Sequence, residues 1–195
     1  MLYCKKLINF FVIFNLFIYS NCFATSFEDV SYAKITNFEV EKNKDNFYIN
    51  IYSDMYLNTD IEQAIKKGLP ISFILKAQVY KQDWYGIVND LLYETDYKWT
   101  IIYKPFINKF KVSNHNNFPI YTNTLSEAIN LIKKIKKIPI LDYLKGENKN
   151  IYIIKVKLYI DKDKFPKLMQ LHSFNNQDLN IDTGWIKFTI LPNLK

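Results

Sequence analysis

The sequence predicts a mainly β protein, an antiparallel β-sandwich of Greek-key or immunoglobulin-like kind carrying two short helices. Three observations point there. Runs in which apolar and polar residues alternate recur along the chain, the period-2 pattern of strands with one face on a core. Only two segments carry helix-start signals. No strand-helix-strand rhythm recurs of the kind that builds a parallel sheet, and an α+β layer fold is the alternative.

Taken in order, two β-like runs between Ala33 and Tyr56 flank the polar stretch Glu41 to Asn46, and Phe47, Ile49 and Ile51 share a face, so this region reads as a hairpin. Thr59-Asp60-Ile61-Glu62 is a capping box, in which Thr59 and Glu62 can satisfy each other's backbone donors. Ala64, Ile65 and a terminating Gly68 complete a short helix. Ile71, Phe73, Leu75, Ala77 and Val79 give the clearest strand. A bend at Lys81 to Gly86 leads into a second, where Tyr97, Trp99, Ile101 and Tyr103 alternate until Pro105. Lys109 to Val112 and the residues around Ile120 add two short strands, joined by the loop His115 to Pro119.

Thr124-Leu125-Ser126-Glu127 is a second capping box. Leu125, Ala128, Ile129, Ile132 and Ile135 then form a stripe at helical spacing up to Pro139, which predicts a helix lying on a sheet face. Tyr152, Ile154, Val156, Leu158 and Ile160 alternate again, and Ile186, Phe188 and Ile190 give a last strand.

Nearly half of the 195 residues are hydrophobic, with 15 Phe, 15 Tyr and 3 Trp, so apolar area is ample for a core and too great for a disordered chain. The formal charge of +7 invites a nucleic-acid reading, but all 26 basic residues are Lys. The chain therefore lacks the guanidinium forks that read guanine and grip phosphate, and no nucleic-acid partner is expected. Lys, Asn, Ile, Tyr and Phe abound while Gly (4) and Pro (6) are scarce, as an AT-rich genome would produce.

The first residues read as an export signal: Lys5 and Lys6, an apolar run from Leu7 to Tyr19, then Cys22-Phe23-Ala24 with cleavage between Ala24 and Thr25. The domain expectation is a signal over 1–24 and a single mainly β domain over 25–195, placed in the periplasm or secreted. The apolar run is short of the roughly 20 residues a spanning helix needs, and Asn9 and Asn15 interrupt it, which disfavours an uncleaved membrane anchor. Lipidation at Cys22 is a further alternative, with a poor lipobox before it. Both cysteines, Cys4 and Cys22, fall within the signal, so the mature chain would hold no disulfide, thiol nucleophile or Cys-ligated zinc.

Little here suggests catalysis, and no cofactor or metal is expected. His115 and His172 are the only histidines, and neither sits in a metal-ligand spacing or beside a nucleophile motif. Asp161-Lys162-Asp163 opens like a calcium loop, but Pro166 and His172 stand where that loop needs Gly and Glu, so it reads as a turn. No nucleophile elbow, P-loop or dinucleotide fingerprint occurs.

Two surface features carry binding expectations. Trp84 and Tyr85, in a bend beside Gly86, form a candidate recognition patch, the alternative being that they close the end of the core. Lys133, Lys134, Lys136 and Lys137 suit contact with anionic lipid, the alternative being the solvated back of an amphipathic helix whose C-terminal cations suit its dipole.

Several motifs resemble one family. Thr59 to Phe73, with Gln63-Ala64-Ile65 and Gly68-Leu69-Pro70, is similar to the "AL-x-x-GVPL-x-F" segment of domain-of-unknown-function family 4390. Trp84-Tyr85 matches its aromatic pair, Tyr97 the start of its "YRLxY" strand, Thr124 to Ile129 its "TLxEAL" helix start, and Phe165 to Gln170 with Trp185 its closing motifs. The chain departs from the pattern in carrying Lys where Arg is usual. The resemblance implies an exported protein of unassigned function, often encoded beside a sensor histidine kinase, and brings no catalytic residues. The expectation is a non-enzymatic periplasmic binding or accessory module for a membrane-embedded envelope protein such as a sensor kinase. A periplasmic small-ligand or lipid carrier is the alternative.

Overall fold

The computed structural model describes residues 29–43, 46–82, 89–114, 117–140, 151–165 and 181–190. Among the described residues, nine strands and two α-helices follow one another: β1 (Tyr32–Asn43), β2 (Asn46–Tyr56), α1 (Thr59–Lys66), β3 (Ile71–Gln82), β4 (Asn89–Lys104), β5 (Lys109–Asn114), β6 (Asn117–Thr122), α2 (Leu125–Lys133), β7 (Lys134–Pro139), β8 (Tyr152–Ile160) and β9 (Ile186–Ile190). They form two antiparallel sheets, three-stranded β1-β2-β7 and six-stranded β6-β5-β4-β3-β8-β9. The mainly β, two-helix reading holds. Within the large sheet, β3, β4 and β5 run consecutively and β8 returns beside β3, which is the Greek-key order with β6, α2 and β7 inserted.

The layering follows from width. A three-stranded sheet cannot cover a six-stranded one, so the helices complete the second layer. The small sheet faces the β8 and β9 side, where Phe38 of β1 stacks on Phe188 of β9 with ring centroids 3.9 Å apart. Helix α1 packs on β4, and α2 on β5 and β6 as well as on β2 and β7. One continuous cluster then joins both sheets and both helices, with Ile49, Ile61, Ile65, Phe73, Leu75, Ile101, Ile132, Ile154 and Leu158 wholly enclosed. Each such side chain contributes about 1.5–3 kcal/mol of transfer free energy.

The alternating runs become strands because their odd or even set has this core to meet: β8 buries every second residue from Tyr152 to Ile160. In β1 the phase changes midway. An irregularity in register between Ile35 and Asn37 lets Ile35 face the core before it and Phe38 and Val40 after it.

Two local expectations are corrected. The first helix is capped by Asn58, whose side-chain oxygen accepts from Ile61 N at 3.0 Å, and not by Thr59. Asn58 and Thr59 are both good cap residues, and the one that wins is buried, with its own N–H donating to Ser31 Oγ at 2.8 Å. The helix ends as expected at Gly68, whose φ of +87° suits glycine, with Leu69 N donating to Ala64 O in a Schellman closure. The second capping residue is right: Thr124 Oγ1 accepts from Glu127 N at 3.2 Å.

The second correction is larger. Helix α2 stops at Lys133, and Lys134–Pro139 is strand β7, paired antiparallel with β2. Ile135 and Ile138, three residues apart, both point inward because the ladder bulges between them. Lys137 adopts a left-handed φ of +58°, and its N–H donates to Asn50 Oδ1 at 3.0 Å. Asn50 is 2% exposed and holds the bulge from beneath, its amide donating in turn to Glu41 Oε1 at 2.6 Å.

Candidate binding site

The end of the small sheet nearest the helices gathers a set of linked tyrosine and carboxylate side chains. Tyr32 and Tyr56 stand directly opposite each other across the β1-β2 ladder, their rings stacked at 6.1 Å. Both remain close to half exposed, yet neither hydroxyl is free to wander. Tyr32 OH donates to Asp54 Oδ2 at 2.9 Å, and Tyr56 OH to Asp29 Oδ1 at 2.6 Å. Each carboxylate is itself fixed from its other side. Lys133 Nζ and the Met55 N–H donate to Asp54 Oδ1, and the Thr59 N–H donates to Asp29 Oδ2 at 2.8 Å.

These contacts shift the titrations in opposite directions. Hydrogen bonds from Lys133 and then Tyr32 hold the Asp54 carboxyl below its ordinary value, and those from Thr59 and then Tyr56 do the same for Asp29. The carboxylates in return raise the Tyr32 and Tyr56 hydroxyls above theirs. The pairs are thus locked as carboxylate and neutral phenol across the physiological range.

Beside the tyrosines a cleft of about 180 Å³ opens between α1 and α2, lined by Met55, Tyr56, Leu57, Glu62, Ile129 and Lys133 among others. Its lining is mixed, Met55, Leu57 and Ile129 standing beside Glu62, Ser126, Asn130 and Lys133. Glu62 is paired with Lys66 at 3.2 Å and Lys133 with Asp54 at 3.1 Å. The arrangement sets two stacked aromatic rings with fixed hydroxyls next to a small cleft of mixed polarity.

The residues singled out from sequence fare unevenly. Trp84 and Tyr85, the junction Ala24-Thr25, and His115 and His172 all lie outside the described residues. Lys133 does reach the site, through Asp54. Lys134, Lys136 and Lys137 are exposed, but on strand β7 rather than on the back of a helix. Asp161 to Lys164 is a turn, as read, with Asp161 taken by Lys98 at 2.6 Å. Among the described residues no three His, Cys, Asp or Glu side chains group as a metal site, and no helix is long and apolar enough to cross a membrane.

Sequence reasoning missed Tyr32, Tyr56, Asp29 and Asp54. One signal was present: Tyr52, Asp54 and Tyr56 fall on alternate positions of one strand, a tyrosine-acid stripe on the face opposite Ile49 and Ile51. Tyr52 OH duly donates to Glu39 Oε2 at 3.0 Å. The partners across the hairpin, however, lie 22 to 27 residues away and only register joins them.

No curated protein and no solved structure matches the chain. Residues 31–189 match the family model described as a domain of unknown function, DUF4390. That span takes in β1 through nearly all of β9, both sheets and both helices, and the chain therefore belongs to the DUF4390 family.

Proposed function

We propose that this chain is an exported, non-enzymatic binding module of the cell envelope, which docks a membrane-embedded protein such as a sensor kinase through the Tyr32-Tyr56 platform and the neighbouring cleft. The observation that carries the reading is the double locking of exposed tyrosines. Two half-exposed aromatic rings, each with its hydroxyl bound to a carboxylate that is itself anchored by other donors, present large contact area with little entropy left to lose on binding.

A carrier would need room for its cargo. Among the described residues, the space between the sheets is instead filled by Ile49, Ile51, Phe73, Leu75 and Leu158, each at most 1% exposed, and the cleft beside the tyrosines is smaller than the roughly 300–1,000 Å³ of typical ligand pockets. Both facts support the docking reading. Native mass spectrometry separates the two, since a carrier retains a bound species.

The test is a photocrosslinking amino acid placed at Asn130, exposed on the cleft beside Tyr56, in cells that export the chain. One discrete protein adduct is expected, and Tyr56→Ala should abolish it while leaving the melting temperature nearly unchanged. An adduct that survives Tyr56→Ala, or none at all, defeats the assignment. N-terminal sequencing of the recovered protein checks export separately: the expected first residue is Thr25, and an intact chain confined to the cytosol overturns it.

A further inference from the structure

The opposite character is found at the turn joining β4 to β5. Lys104-Pro105-Phe106-Ile107-Asn108-Lys109 closes the hairpin as a single 3-10 turn. Phe106 stands fully in solvent at 105% relative exposure and Ile107 at 52%. The turn is rigid. Pro105 fixes its first φ, Asn108 takes the left-handed conformation at φ +51° with its N–H donating to Pro105 O, and Tyr103 OH donates to Asn108 Oδ1 at 2.6 Å. The fold therefore holds two apolar side chains out into water when a flexible loop would let them fold back.

The charge around them has one sign. From Tyr97 to Ser126 the sequence holds no Asp or Glu, while Lys98, Lys104, Lys109 and Lys111 fall within it. Lys98 is neutralised by Asp161, but Lys104, Lys109 and Lys111 take part in no ion pair among the described residues. Lys104 and Lys109 face each other across the hairpin, one on each side of Phe106, and Lys111 pairs with the half-exposed Tyr121. A convex apolar tip ringed by long cationic side chains, with no polar group placed for specific readout, is built to enter a headgroup layer. The phenyl ring and the Ile107 side chain reach the acyl boundary, and the ammonium groups snorkel to anionic phosphates.

We infer that the β4-β5 tip, Phe106 and Ile107 between Lys104 and Lys109, docks the protein onto a bilayer surface rich in anionic phospholipid. The tip lies at the helix-bearing end of the large sheet. Phe110 pairs with Thr122, two residues before the α2 cap, and a Cβ on Gly68 after α1 would stand 4.0 Å from the Tyr103 carbonyl. Membrane docking would thus bring the helices and their cleft toward a membrane-embedded partner, although the inference does not depend on the tyrosine platform.

Co-sedimentation of the protein recovered after export, with its first residue confirmed as Thr25, with phosphatidylcholine vesicles, with and without a quarter phosphatidylglycerol, tests it. Phe106→Ala should weaken binding to the anionic vesicles about tenfold. Lys104→Gln and Lys109→Gln should each weaken it about fivefold. Raised salt should abolish binding, and pure phosphatidylcholine should show little. Phe118, at 95% exposure on β6 but flanked by Asn114 and Asn117 instead of lysines, is the internal control, and Phe118→Ala should change nothing. Equal vesicle affinity in the wild type and Phe106→Ala overturns the inference. So does loss of a protein crosslink in Phe106→Ala without loss of vesicle binding, which would make the tip a protein-docking knob. Tyr56→Ala should leave vesicle binding intact, so failure of the docking reading and failure of this one give different results.

Discussion

The helix-facing end of the small sheet and the large sheet's β4-β5 tip both expose aromatic rings, and their chemistry is opposed. At the first, each ring carries a hydroxyl bound to a carboxylate, and Asp29, Asp54, Glu39 and Glu41 all hold partners on β1, β2 or the residues around them. At the second, Phe106 has no polar atom to hold, and the acids are absent while lysines remain unpaired. Exposure alone therefore identifies nothing. What selects a partner is whether the ring has a tethered polar handle and which sign of charge surrounds it: a tethered phenol suits a polar protein surface, and a bare ring between lysines suits lipid.

The contrast also predicts where stability resides. The largest effect should come from Asn50→Ala, which strands the Lys137 N–H at the β7 bulge and frees Glu41, and should cost about 2 kcal/mol in urea unfolding. Asn58→Ala, which removes the α1 cap beside the cleft, should cost about 1 kcal/mol. Phe106→Ala should stay within about 0.5 kcal/mol of wild type, because the ring touches nothing it would lose. A Phe106→Ala loss as large as that of Asn50→Ala would mean the tip is structural, and the comparison would collapse.

Much of the fold was legible because burial imposes a period. β3 and β8 have one face on the core, and a strand slipped by one residue would turn that face outward, so the alternation of Ile71 to Val79 and Tyr152 to Ile160 could be read directly. The end of the stripe Leu125, Ala128, Ile129, Ile132 and Ile135 could not. Three-residue spacing is what an amphipathic helix shows, and it is also what a bulged strand shows when one residue is looped out, as Lys137 is. Choosing between them needs Asn50, which lies 87 residues earlier. The candidate site was hidden for the same reason: Tyr32 meets Asp54 only once β1 and β2 are in register, and Asp29, just before β1, reaches Tyr56 only from there. The Phe106 tip was spelled out locally as Pro-Phe-Ile-Asn between lysines, but nothing in those letters says whether the phenyl ring is tucked in or held out.

The smallest expected effects are in pH dependence, and they separate the two regions most cleanly. Asp29 and Asp54 have folded values depressed below 3.8, so the stability they add is present above that pH and lost as pH falls through the depressed values. Tyr32 and Tyr56 are raised above 10.0, so their contribution is present below pH 10 and lost as pH rises through the raised values. The small sheet should therefore weaken at both extremes, modestly because these groups are exposed and screened, while Phe106 and Ile107 have nothing to titrate. In melting curves against pH, Asp29→Asn and Asp54→Asn should each flatten the acid limb. Tyr97 supplies the internal contrast, since it is pushed up to about 12 chiefly by burial and not by a carboxylate. Following carbon-13-labelled tyrosines by NMR, Asp54→Asn should bring the Tyr32 titration down toward 10 and leave Tyr97 in place. If Tyr32 does not move, its hydroxyl is not tied to Asp54 in solution, and the platform loses the rigidity on which the proposed docking rests.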